Sequence, residues 1–92
     1  MKIKVKFFSI LREVFGAEEK EVELRSGSNI LDLLNILCDS PQRRETIFGD
    51  SSEPKTYIQI FKNGKPAQSL DGIHTKLGEG DTVSIFPAIF GG

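Results

Sequence analysis

From Lys2 to Phe7 the chain alternates without a fault between charged and apolar residues, Lys2-Ile3-Lys4-Val5-Lys6-Phe7. Successive side chains of a β-strand point to opposite faces, so Ile3, Val5 and Phe7 share one face and three lysines the other. This commits the chain to a sheet with one dry face and one wet face, and something apolar must cover the dry one. Glu19 to Leu24 alternates in the same way with Val22 and Leu24 inward, which predicts a long-looped hairpin with the first strand. Between them, Ser9 is placed to cap a short helical turn through Leu11, Val14 and Phe15, which Gly16 ends in the left-handed conformation.

The cover is predicted over Asn29 to Asp39, where Ile30, Leu33, Leu34, Leu37 and Cys38 fall at helical spacings on one face. Ser28 is the expected N-cap, and Pro41 the expected stop. Residues 42–55 are expected to hold at most one more turn, around Thr46 to Phe48, and then an exposed loop. Thr56 to Lys62 is β-branched and aromatic, with Ile58 and Ile60 on one face and Tyr57, Gln59 and Phe61 on the other. Asn63-Gly64 is a strong hairpin turn leading to a short strand near Lys65 to Leu70, and Thr82 to Pro87 is the last strand, with Val83 and Ile85 inward. The predicted order is ββαβββ, an α+β fold in which a mixed sheet packs on one main helix.

A chain of 92 residues allows one such domain. Leu, Ile, Val and Phe make up about a third of it, above the roughly one-fifth at which chains tend to stay disordered. So small a domain has little interior for a self-contained catalytic pocket. A net charge of −1 and a pI near 5.8 argue against a nucleic-acid partner. No apolar run reaches the roughly 20 residues of a membrane span, and a reducing, cytoplasmic location is expected. One cysteine and one histidine, Cys38 and His74, cannot build a metal site or a disulfide; Cys38 reads as a core filler and His74 as a surface residue.

The unusual feature is the C-terminal segment Phe86-Pro87-Ala88-Ile89-Phe90-Gly91-Gly92. Gly91 and Gly92 have no Cβ, so an extended backbone can enter a channel too narrow for side chains. A carboxylate there is ionised at neutral pH and resists nucleophiles until it is activated, for instance as an anhydride with AMP. Nothing in the sequence binds phosphates, so ATP and magnesium would belong to a partner enzyme, and no cofactor is expected on this chain. Strand alternation also sends Phe61, Tyr57 and Phe86 to the face away from the helix. With Pro87, Ile89 and Phe90 they would form an apolar path to the terminus suited to docking a partner.

The alternating first strand, the capped helix, Lys62-Asn63-Gly64, Gly80-Asp81-Thr82-Val83 and the run from Phe86-Pro87 to Gly91-Gly92 together resemble the ubiquitin-like β-grasp sulfur carriers. The nearest similarity is to the small subunit of molybdopterin synthase, with the thiamine sulfur carrier a shorter relative. The resemblance implies a β-grasp domain over residues 1–87, with a sheet of four to five strands, and a flexible diglycine tail over 88–92. It implies that Gly92 is adenylated by an E1-like enzyme, converted to a thiocarboxylate with sulfur from a persulfide donor, and offered to the large synthase subunit or another sulfur acceptor. The chain would then act as a cosubstrate or as the sulfur-carrying subunit of a synthase, with no self-contained active site. Two alternatives share the same first step: a ubiquitin-like modifier that forms isopeptide bonds through Gly92, and a carrier for thiamine or another sulfur-containing metabolite. Ala88, where many relatives carry a second proline, and the bulky Ile89-Phe90 are departures that bear on the identity of the acceptor.

Overall fold

The computed structural model describes residues 1–88. It has β1 (Lys2–Phe7), α1 (Leu11–Phe15), β2 (Glu19–Glu23), α2 (Ile30–Leu37), α3 (Pro41–Ile47), β3 (Ile58–Lys62), β4 (Lys65–Pro66) and β5 (Thr82–Pro87). The strands form one mixed sheet in the order β2-β1-β5-β3-β4. β1 and β2 are the expected antiparallel hairpin, with Ile3 opposite Val22, and β5 returns to lie parallel to β1, with Val5 opposite Val83. β3 runs antiparallel to β5, with Ile60 opposite Ile85.

This register brings Ile3, Val5, Phe7, Val83, Ile85, Ile58 and Ile60 onto one face, where all are buried. α2 covers them with Ile30, Leu33, Leu34 and Leu37, and Cys38 follows as a buried filler. α1 turns Leu11 and Phe15 into the same core, with the Phe15 ring stacked on Phe7 at 4.5 Å. The predicted α+β layering is therefore observed, and among the described residues no helix is long and apolar enough to cross a membrane.

Four local expectations need correction. Ser9 does not cap α1: it takes a left-handed φ of 57°, and Ile10 precedes the helix with no side-chain cap, while Gly16 does close it at φ 71°. The cap of α2 is Asn29 and not Ser28, because Asn29 and Asp32 form a reciprocal capping box, each side chain accepting the other's backbone N–H at 2.9 Å. Pro41 does follow the end of α2, but it also occupies the first turn of α3, a seven-residue helix capped by the Ser40 hydroxyl, where a single turn was expected. α3 adds Ile47 and Phe48 to the core. The strand after Asn63-Gly64 lasts only two residues, since Pro66 has no N–H to continue a ladder and the chain tightens into a 3₁₀ turn over Ala67–Ser69.

Candidate functional site

The face of the sheet turned away from α2 has two unlike halves. On β1 and β2, Lys2 and Lys4 face Glu21 and Glu19 across 3.9 and 3.8 Å, an exposed ladder of alternating charge. Toward the C-terminal ends of β1 and β5 the charges give way to rings. Phe86 stacks on Phe8 with centroids 4.2 Å apart and planes 10° from parallel, and Phe61 meets Phe86 edge-on at 5.4 Å. All three rings are half-buried, as are Tyr57 and Pro87.

Strand geometry explains the cluster. Phe61 lies opposite Ser84, and Gln59 opposite Phe86, so alternation puts Phe61 and Phe86 on the open face one diagonal step apart. Phe8 lies just beyond β1, and its N–H donates to the Ile85 carbonyl at 3.3 Å, which continues the pairing of the two strands. α1 does not cover the rings, because its apolar residues point into the core. It contributes Arg12, whose guanidinium carbon stands 5.6 Å from the Phe8 ring centre and whose Nε donates to the Phe7 carbonyl at 3.0 Å. A cation over an aromatic face is favourable, and here it rims an apolar patch with positive charge.

The chain leaves the sheet beside this patch. Ile58 pairs with Pro87, and one further rung follows, where the Ala88 N–H donates to the Tyr57 carbonyl at 2.6 Å. Of the residues singled out from sequence, Phe61, Phe86 and Pro87 are thus together at the exit of the tail. Ile89, Phe90, Gly91 and Gly92 lie outside the described residues. Phe8 and Arg12 were missed. Phe8 was detectable, because it breaks phase with Ile3, Val5 and Phe7 and so falls as a lone ring on the lysine face.

Burial pushes the Cys38 thiol up to about 11, and His74 is exposed at the far end of a 3₁₀ turn. No group of three or more His, Cys, Asp and Glu among the described residues is placed to hold a metal ion. The arrangement brings Pro87 and Ala88, where the chain leaves β5, next to an apolar patch rimmed by Arg12.

The model of the ThiS family matches residues 5–92. The chain belongs to the ThiS family. Within its ubiquitin-like surroundings, this ThiS-family chain is 30% identical to small archaeal modifier protein 3 of Haloferax volcanii, with all of both chains covered. Its fold superposes on the crystal structure of small archaeal modifier protein 1 from the same organism with a TM-score of 0.86 at 27% identity, again over all of both chains. A Pyrococcus furiosus structure named as a candidate molybdopterin converting factor, subunit 1, matches with a TM-score of 0.76 at 28% identity, covering 97% of this chain and 99% of that one. The fold is the ubiquitin-like β-grasp with a five-stranded mixed sheet, and the chain falls among the sulfur carriers and small archaeal modifiers.

Proposed function

We propose that this chain is a sulfur carrier whose Gly92 carboxylate is the reacting group and whose aromatic face docks the enzymes that use it. The observation that supports the reading is the exit geometry: β5 delivers the chain, through Pro87 and the Ala88–Tyr57 hydrogen bond, alongside the Phe8, Phe61 and Phe86 rings. A partner that covers the rings receives the tail at the same time. In the first step the carboxylate attacks the α-phosphate of ATP on an E1-like enzyme, which releases pyrophosphate and leaves an acyl-AMP anhydride. A persulfide then attacks the carbonyl carbon and AMP departs. A thiol cleaves the resulting acyl disulfide, leaving the thiocarboxylate on Gly92 and a disulfide on the donor. The acceptor is the large subunit of a molybdopterin-synthase-type enzyme, in which the sulfur passes to the substrate and hydrolysis restores the carboxylate.

The second reading, a protein modifier that ends in an amide to a lysine amine, is favoured by the full-length similarity to small archaeal modifier proteins. Both begin with one adenylate, and intact mass separates them. Incubated with its activating enzyme, ATP, magnesium and a persulfide donor, the protein is expected to gain mass by one sulfur-for-oxygen exchange, and a variant lacking Gly92 is not. A ladder of Gly92-dependent conjugates with no thiocarboxylate would reverse the ranking.

A further inference from the structure

A second surface lies on the other side of β3, away from β5. β3 is bonded to β5 through Tyr57 and Asn63, whose carbonyl and N–H pair with Ala88 and Thr82. By the alternation of an antiparallel ladder, Gln59 and Phe61 also turn their backbone groups toward β5, so Ile58, Ile60 and Lys62 turn theirs outward. On that outer side β4 pairs only with Phe61 and Lys62. Pro66 and the 3₁₀ turn at Ala67 carry the chain away, and the Ala67 carbonyl is taken by Leu70. The Ile58 N–H is satisfied by the Lys55 carbonyl at 3.0 Å. Among the described residues the Ile58 carbonyl and the Ile60 N–H are left directed outward, into an open groove of ≈ 560 Å³ lined by Glu53, Lys55, Ala67 and Ile73 among others.

An acceptor at one residue and a donor two residues on are what a strand running parallel to β3 satisfies with the N–H and carbonyl of a single residue. Of the two charged residues in the walls, Lys55 is already engaged by Glu45 at 3.9 Å and by the Tyr57 ring. Glu53 pairs with no cation among the described residues. We infer that the β3 edge is a docking site for a short extended segment of a partner protein that lies parallel to β3, sets an apolar side chain between Ala67 and Ile73 and carries a basic residue toward Glu53. Recognition is by strand addition, in which main-chain hydrogen bonds hold the segment and the groove selects its side chains.

The probe is an acetylated, amidated Lys-Val-Lys-Val-Lys-Val peptide titrated into the full-length protein and followed by amide NMR. Saturable shifts are expected at Ile58 to Ile60, Ala67 and Ile73, with slower hydrogen exchange at the Ile60 amide. A peptide N-methylated at its second lysine, the residue that lies opposite Gln59 when the flanking valines face Ala67 and Ile73, cannot donate to the Ile58 carbonyl and is expected to bind about tenfold more weakly, the equivalent of one hydrogen bond. Glu53→Lys is expected to weaken the unmodified peptide while leaving the free protein's spectrum unchanged elsewhere. Equal binding of the N-methylated peptide, shifts confined to Phe8, Phe61 and Phe86, or no shift at millimolar peptide would overturn the site. So would the same shifts on raising protein concentration alone, because the occupant would then be a second copy of this chain.

Discussion

Cys38 closes the buried stripe of α2 at 7% exposure, and its environment decides its chemistry. Burial pushes the thiol from an ordinary value near 9 up to about 11, with Arg44 and Arg43 opposing and Asp39 adding to the effect. At neutral pH the thiol stays protonated and is a poor nucleophile, which supports placing the proposed sulfur chemistry at Gly92. The folded state holds this proton more tightly than the unfolded chain does. Its contribution is therefore complete below pH 9 and is lost as the pH rises toward 11, a decline of about 2 kcal/mol. Urea midpoints measured between pH 8 and pH 11, in steps, should show this decline in the parent and a flatter profile in Cys38→Ala. That variant should cost about 1 kcal/mol at neutral pH and still form the proposed thiocarboxylate. A folded Cys38→Ala protein that forms none would move the sulfur chemistry into the core. The residue's role was legible because helical spacing alone aligns it with Ile30, Leu34 and Leu37. Arg12 was not, because nothing in a sequence tells a solvated arginine from one held over a ring by the carbonyl at Phe7.

At the scale of elements, the β3–β4 turn and the turn before β5 are locked together by side chains. Asn63 takes a left-handed φ of 49°, its side-chain Nδ2 donates to Asp81 Oδ1 at 2.9 Å, and its side-chain Oδ1 accepts the Thr82 N–H at 2.9 Å. Asp81 also accepts the Gly78 N–H at 2.7 Å and lies 3.6 Å from Lys62. Burial works against its charge, but the bonds from Asn63 and Gly78 and the Lys62 ammonium outweigh it and hold the carboxyl below its usual value. That contribution is present above the ordinary carboxylate range and lost as the pH falls below it. Asn63→Gly keeps the turn conformation and removes both side-chain bonds, so its expected cost of about 1 to 2 kcal/mol isolates the lock. An unchanged urea midpoint would show that the turn conformation alone fixes the hairpin. The turn was readable from Asn63-Gly64, but its partner 18 residues away was not, since local pattern carries no long-range pairing. The caps were half readable. Ser28 and Asn29 are both competent caps, and the choice falls to Asn29 because Asp32 stands three residues on and completes the box. Pro41 was read only as a stop, although a proline after a capping serine begins a helix as readily as it ends one.

For the whole molecule, the sheet separates two tasks. One face is spent on the core under α2 and α3, and the other is free to present rings at one end and paired charges at the other. The alternation of four strands, β1, β2, β3 and β5, made this division legible, including the side on which Phe61 and Phe86 lie. The strand order was not legible, so the meeting of Phe8 with Phe86 depended on knowing that β1 and β5 are neighbours. The same geometry gives the proposed carrier a measure of reach. Among the described residues Ala88 is the last bonded to the sheet, through Tyr57, and four residues follow it in the sequence to Gly92. Fully extended in a partner's channel they span at most about 14 Å. An activating enzyme that covers the aromatic face must then hold its reacting phosphate within that distance of Ala88. Inserting Gly-Ser between Ala88 and Ile89 adds about 7 Å of contour without touching the rings. The inserted protein should bind the activating enzyme as tightly as the parent by calorimetry, while adenylation, followed by pyrophosphate release, slows by about 100-fold because the carboxylate no longer rests in register with ATP. Phe86→Ser should do the reverse, weakening binding while leaving the rate at saturating carrier close to that of the parent. If the insertion is activated at the parental rate, the tail is not held in register by the docked face, and the exit geometry loses its role.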